Sequence, residues 1–295
     1  MNVWDIYAGT GSATAAFRSG GASVHTFDIN TQFDVTEHLD ITKVDVHYLI
    51  DKYGIPDFVW ASPPCTTLSV GGVGSHWFVF ANCKRLRCGG RVTPVRNPQQ
   101  QGTYHALTAG TATTSTAATY QAPRIALNRP MRYWRCSVET CQRRIPPYPD
   151  ELNYEPKSKQ AKDNLELLTH LGRMLGQLQK IQQKRPFQYV IENPVGLMRK
   201  LPQIAALTQA PGVKMQTVTY CQYTDGKRKA QRQKPTDLFM HIAKPELFVA
   251  KTCKKGADCH EAAPRGSRAG TQALDPVEAA KIPYGLSEAV YKAVI

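Results

Sequence analysis

The chain has 295 residues, room for one large α/β domain with an insertion or for two modest domains. Lys and Arg number 37 against 23 Asp and Glu, a net +14 that points to a polyanionic partner, most often nucleic acid. The apolar runs are shorter than a membrane span, and Met1-Asn2 leads straight into an acid-containing strand pattern, so neither a membrane span nor a secretory leader is expected. A cytoplasmic protein is the reading that follows, in which eight cysteines serve as metal ligands, a nucleophile or buried thiols rather than disulfides.

The first elements read as a βαβ unit. Asn2 to Tyr7 is a strand, Ala8-Gly9-Thr10-Gly11 a glycine turn, and Ser12 is placed to cap a helix through Ala13, Ala16 and Phe17 that stops at Gly20-Gly21. Ser23 to Phe27 is a second strand with Asp28 at its end, and Phe58 to Ala61 a later one that halts at Ser62-Pro63-Pro64-Cys65. Strands alternating with helices predict a parallel sheet, which binds ligands at the C-terminal edge of its strands. Tyr7, Asp28 and Cys65 all fall on that edge. Two prolines before Cys65 fix the backbone and hold its thiol rigidly, which suits a nucleophile that must meet one atom of a substrate, although a cysteine taken alone is more often a small buried apolar residue.

Residues 75–159 carry no sustained period and include the Thr/Ala-rich run LTAGTATTSTAATYQAP, which reads as a partly flexible insertion. Charge is uneven. Residues 1–82 hold three basic and eight acidic side chains, whereas 83–144 hold eleven basic and one acidic. Arg85, Arg87, Arg91, Arg143 and Arg144 are therefore expected to contact phosphates. Two C-x4-C pairs, Cys83/Cys88 and Cys136/Cys141, have the composition of a tetrahedral structural zinc site. Cys253, Cys259 and His260 read as a turn with buried thiols rather than a second metal site.

Helical spacing resumes at Leu165, Leu168, Leu171, Leu175, Leu178 and Ile181 and predicts a helix over 161–183. The strand Phe187 to Ile191 runs into Glu192-Asn193-Pro194, a carboxylate after four buried-type residues that is costly unless paired or functional. Residues 213–223 read as a strand and 287–294 as a helix.

These pieces resemble cytosine-C5 DNA methyltransferases of the compact type found in bacteriophages. The resemblance rests on DIYAGTGSATAAF, HTFDIN, LDI at 39–41, SPPCTT, VIENPVG, YCQYTDGKRKAQRQKPTDLF and CHEAAPRGSRAGTQ, which occur in family order across most of the chain outside the insertion. It implies a Rossmann-like, S-adenosylmethionine-dependent fold, with helices on both faces of a mostly parallel sheet. The chain then divides into a cofactor and nucleophile half (1–74), the basic insertion (75–159), and the remainder (160–295) with a small target-recognition segment at about 224–275. Cofactor contacts are implied for Asp5, Tyr7, Ala8, Gly9, Gly11, Asp28, Ile29, Asp40, Ile41 and Pro63. Cys65 is implied as the nucleophile that adds to C6 of a flipped cytosine, Glu192 as the carboxyl on its N3 face, and Arg232 as a support for the base. Lys227, Arg228 and Lys234 would join the nucleic-acid contacts. The expected partner is double-stranded DNA, bound by a monomer in the cytoplasm (the host's, for a phage-encoded chain). An RNA cytosine methyltransferase and a catalytically inactive DNA-binding relative are the alternatives.

Overall fold

The computed structural model describes residues 1–82, 91–95, 133–136, 144–145, 152–182, 187–224, 233–254, 257–260 and 276–295. It divides into two compact units, one of residues 1–69 with 162–295 and one of residues 70–161.

The larger unit opens with β1 (Asn2–Ile6), α1 (Ala15–Ser19), β2 (Ser23–Asp28), β3 (Glu37–His38), α2 (Val46–Tyr53) and β4 (Phe58–Ala61). The smaller unit holds α3 (Val70–His76) and the strands β5 (Trp77–Asn82), β6 (Arg91–Val95), β7 (Tyr133–Cys136), β8 (Arg144–Ile145) and β9 (Asn153–Pro156). A long helix, α4 (Lys159–Ile181), leads back into the larger unit. There follow β10 (Gln188–Pro194), α5 (Pro202–Thr208), β11 (Lys214–Thr219), β12 (Pro235–His241), α6 (Pro276–Ala280) and α7 (Tyr284–Val294).

Seven strands of the larger unit form one sheet in the order β11-β12-β10-β4-β1-β2-β3. All pairings from β10 to β3 are parallel, and β12 pairs antiparallel with both β10 and β11. This is the mostly parallel sheet that alternating strands and helices predict, in the Rossmann-like α/β architecture that the sequence resemblance implies. Side chains alternate across it. Val3, Phe58, Trp60, Val190, Leu238 and Met240 pack in one buried cluster with Phe17 of α1 and Leu286, Val290 and Ala293 of α7. Trp4 and Phe27 meet edge to face at 6.0 Å, and Phe27 meets Tyr53 of α2 at 5.2 Å. In α4, Ala161, Asn164, Leu168, Leu171, Leu175 and Leu178 are buried at helical spacing, one of them polar. Among the described residues no helix is long and apolar enough to cross a membrane.

Three local expectations change. Ser12 does not cap a helix: Gly11, at φ +66, precedes a 3-10 turn at Ser12–Thr14, and the Ser12 hydroxyl instead accepts the Ile282 amide at 2.9 Å. The strand expected over 213–223 ends at Thr219 and passes into a 3-10 turn, Tyr220–Gln222. The smaller unit carries antiparallel pairings in the order β8-β7-β6-β5-β9 rather than irregular chain throughout. Its strands are two to six residues long, too short to print a period in the sequence, and β5 finds its partner β9 some 70 residues away, pairing Phe80 with Asn153.

Asp5 is fully buried in β1. Its Oδ2 accepts the Thr14 hydroxyl at 2.6 Å, while Oδ1 has no hydrogen-bond partner among the described residues. Burial, offset in part by that bond and by Arg18, pushes its pKa up to about 7. An unfolded aspartate titrates near 3.9, roughly three units lower. Between those values the folded chain keeps a proton that the unfolded chain has lost, so this group's contribution to stability falls as pH rises from about 4 to 7. Urea unfolding at pH 4.5 and 7.5 should therefore show a drop in the parent that Asp5→Asn reduces, by on the order of a few kcal/mol. Equal drops in the two proteins would contradict the buried-acid account.

Candidate active site

Two neighbouring parallel strands deliver the thiol and the carboxylate to one edge. β4 and β10 pair up to Ile191 opposite Ala61. Beyond that level β4 turns away through Ser62-Pro63-Pro64-Cys65, whereas β10 continues against β12 alone, with Glu192 opposite Leu238. Two asparagines hold the departing loop. Asn193 Nδ2 donates to the Pro63 carbonyl at 2.9 Å, and Asn164 Nδ2, from α4, donates to the Pro64 carbonyl at 3.3 Å and the Thr67 hydroxyl at 2.8 Å. Both asparagines are buried. The Cys65 carbonyl then accepts the amides of Leu68 and Ser69 at 3.0 and 2.9 Å, closing a turn. Past the turn, Ser69 bridges Gly196, and Leu197 donates to the Leu68 carbonyl at 2.7 Å. A Cβ on Gly196 would lie 2.1 Å from the Leu68 oxygen, so only glycine allows this approach.

Cys65 is half-buried. Burial holds its thiol above the ordinary cysteine pKa; the Lys234 ammonium opposes that shift and the Glu192 carboxylate adds to it. Glu192 is 5% exposed and accepts the Tyr220 hydroxyl at 2.8 Å. Tyr220 is itself buried, and burial next to Glu192 raises its pKa well above the usual phenol value, so it stays a donor. Lys234 stands over the Tyr220 ring at 4.6 Å, with Nζ 3.4 Å from the Ala279 carbonyl. Expected to contact nucleic acid, Lys234 is half-buried in this group. Tyr220 and Asn164 were not singled out from the sequence. Asn164 had a signal, a polar residue on the buried stripe of a helix; Tyr220 had none, because its turn was read as strand.

The glycine turn lies on the same strand edge. Tyr7, Gly9 and Gly11 have φ of +60, +51 and +66. Tyr7 is the one non-glycine residue with positive φ among those described, a strained conformation of the kind that clusters at ligand turns. Ala8 donates to the Phe27 carbonyl at 3.1 Å and receives the Gly11 amide at 2.8 Å. Asp28 ties the turn to β2: Oδ2 accepts the Gly9 amide and Oδ1 the Asn30 amide, both at 2.8 Å. Ile29 is 66% exposed beside it, an uncovered apolar side chain at a strand end. Asp40 caps the turn at Ile41–Lys43, accepting the Thr42 amide and hydroxyl at 3.1 and 2.6 Å; those bonds and Lys43 hold its pKa low. Ile41 is buried, and Asp5 lies fully buried on the strand that leads into the turn. Strained turn, acid at the strand end and exposed apolar neighbour fit a nucleoside-bearing cofactor.

Several expected residues lie outside the described residues: Cys83, Cys88 and Cys141, Arg85, Arg87 and Arg143, Lys227, Arg228 and Arg232. For Cys136 and Arg144 only the backbone is described, in β7 and β8. Arg91 donates to Glu155 at 2.6 Å and lies over the Phe80 ring at 4.3 Å, both within the smaller unit.

No protein-family model and no curated protein matches the chain. Solved structures resemble it distantly. A candidate DNA modification methyltransferase encoded within an E. coli prophage is 12% identical at a TM-score of 0.41, over 85% of this chain and 51% of that one. The Entamoeba histolytica methyltransferase EhMeth is 10% identical at 0.42, over 86% and 57%. A DNMT2 variant from Spodoptera frugiperda is 14% identical at 0.35, over 80% and 49%. The chain thus spans about half the length of these structures.

Because Cys65 is protonated at neutral pH, its alkylation by iodoacetamide, followed on its own peptide, should accelerate about tenfold per pH unit from pH 7 to about 9. Lys234→Met should be slower than the parent at each pH. A plateau near neutrality would mean that the thiol is already ionised.

Proposed function

We propose that the chain is a cytosine-C5 DNA methyltransferase that uses S-adenosylmethionine. The observation that carries the reading is a thiol and a carboxylate on adjacent strand ends, the thiol loop pinned by Asn164 and Asn193. The sequence resemblance supplies the substrate. A flat pyrimidine ring suits this pair, with carbon toward sulfur and ring nitrogen toward oxygen.

In this reading the target cytosine leaves the duplex, because neither face of a stacked base is open to a side chain. The Cys65 thiol gives up its proton to solvent, a step that burial makes costly and the Lys234 ammonium makes cheaper. Sγ adds to C6, and N3 takes a solvent proton passed on by the Glu192 carboxyl, whose Oε1 is fixed by the Tyr220 hydroxyl. The ring is then an enamine, nucleophilic at C5. When bound at the Tyr7–Gly11 turn, S-adenosylmethionine supplies an electrophilic methyl group. C5 takes that methyl, a base removes the C5 proton, the Sγ–C6 bond breaks, and Glu192 recovers the N3 proton. Asp28, whose carboxylate keeps lone pairs beyond those taken by the Gly9 and Asn30 amides, would accept the ribose hydroxyls of the cofactor, and Asp40 and Ile29 would hold its adenosine end. The basic residues of the insertion and of 227–234 follow the DNA backbone, and Arg232 steadies the flipped base.

Transfer of labelled methyl groups to duplex DNA and to transfer RNA tests the reading. DNA should be labelled by the parent; Cys65→Ser should lose at least a thousandfold in rate, and Glu192→Gln about a hundred- to ten-thousandfold, the usual size of a proton-transfer contribution. Both variants should still bind the cofactor by calorimetry. Label in transfer RNA alone would favour the RNA enzyme, and no transfer with cofactor and DNA both bound would favour an inactive relative.

A further inference from the structure

Away from the thiol loop, four soft donors meet at one point. Cys221 lies in the 3-10 turn after β11, Cys253 in the chain that returns after β12, and Cys259 and His260 a few residues on. Their ligand atoms all lie within 4.8 Å of one another. The two Sγ atoms of Cys221 and Cys253 are 3.1 Å apart, and those of Cys221 and Cys259 are 3.7 Å apart. His260 Nδ1 is 3.5 Å from Cys253 Sγ and 3.4 Å from Cys259 Sγ. A tetrahedral zinc ion with bonds of about 2.3 Å to sulfur and about 2.05 Å to nitrogen would separate sulfurs by about 3.8 Å and sulfur from nitrogen by about 3.6 Å. Three of these four separations fall within about 0.2 Å of those values, and the closest pair is brought nearer than the ion would hold it.

We propose that Cys221, Cys253, Cys259 and His260 bind one structural zinc ion. Donor chemistry selects the metal: three thiolates and an imidazole in a compact set suit zinc, and a full set of four protein ligands leaves no open position for catalysis. The surrounding chain needs such a staple. From Ile242 to Lys254 no helix or strand forms, and the segment is held by scattered single bonds. Near its start Ala243 donates to the Gln188 side chain and Lys244 to the Ala293 carbonyl, and Tyr223 donates to the Val249 carbonyl and accepts the Lys251 amide. Around the cluster Thr219 donates to the Lys251 carbonyl at 3.0 Å, Cys253 to the Thr219 hydroxyl at 2.9 Å and Gln233 to the Cys253 carbonyl at 3.1 Å. Cys221 and His260 are buried, so the ion would sit inside this layer. The sequence showed only Cys253, Cys259 and His260 close together; the fold adds Cys221, 32 residues earlier, and turns an incomplete set into a complete one.

The site has a consequence for the thiol and carboxylate edge, and this part rests on the proposed function. Cys221 directly follows Tyr220, whose hydroxyl holds Glu192. Zinc would fix the turn that aims this hydroxyl, making Cys259 and His260 positioning residues for Glu192.

Elemental analysis of the full chain, purified under reducing conditions, tests the site. The parent and a Cys83→Ser/Cys88→Ser variant, which removes any zinc held by the insertion, should each lose one zinc per chain on adding Cys259→Ser/His260→Ala. An unchanged zinc count would overturn the site. If that variant fails to fold, cobalt(II) exchanged into the Cys83→Ser/Cys88→Ser protein should give the intense visible bands and thiolate charge transfer of a tetrahedral sulfur-rich site; their absence would overturn it equally. A Cys221–Cys253 disulfide in freshly purified protein, found by peptide mapping, would also overturn it. None of these readings uses activity, so a chain that binds zinc here but methylates nothing would count against the proposed function alone.

Discussion

The arrangement depends on two amide groups that hold two consecutive carbonyls. Prolines 63 and 64 have no N–H to give, so their segment cannot join the sheet as strand and must be tied by its oxygens. Asn193 takes one from the neighbouring strand and Asn164 the other from the helix α4. Each is buried, and a buried amide left unpaired would cost about 1–3 kcal/mol, so each bond also locks the element that supplies it. The Cys65 thiol is therefore positioned by β10 and α4 as much as by its own strand. Gly196 adds the third tie, because only a residue without Cβ lets β10's exit meet Leu68.

Electrostatics at this edge is set by what is buried together. A thiol, a carboxylate, a phenol and an ammonium share a small region, and their influences on Cys65 oppose one another: burial and Glu192 favour the neutral thiol, Lys234 the thiolate. Tyr220 spends its proton on Glu192 and its ring face on Lys234. Removing any one member changes the charge balance felt by the rest, which makes the group a unit rather than a set of independent residues.

Much of this was legible in the sequence, and the reasons differ by residue. Strand ends were readable because proline, glycine and acid residues punctuate apolar runs: Gly9-Thr10-Gly11, Asp28, Pro63-Pro64 and Asn193-Pro194 all mark the edge where the fold collects them. The stripe along α4 was readable from its period, and Asn164 within it could have been read as a polar group with a buried task. Tyr220 and Cys221 were not legible. Their positions depend on β11 ending at Thr219 and on the chain after β12 returning to it, and no local pattern encodes either. The strands of the smaller unit were hidden for a related reason, since pieces of two to six residues with distant partners carry too few positions for a period to emerge.

The central claim is that Cys65 forms a bond to the cytosine ring. Duplex DNA containing 5-fluorocytosine tests it directly, because the fluorine at C5 cannot leave as a proton does and the ring stays attached to sulfur after methylation. Incubated with S-adenosylmethionine, the chain should form a denaturation-resistant complex whose mass equals protein plus methylated DNA, and peptide sequencing should place the bond on Cys65. A complex attached elsewhere, or none at DNA and cofactor concentrations that saturate binding, would contradict the account.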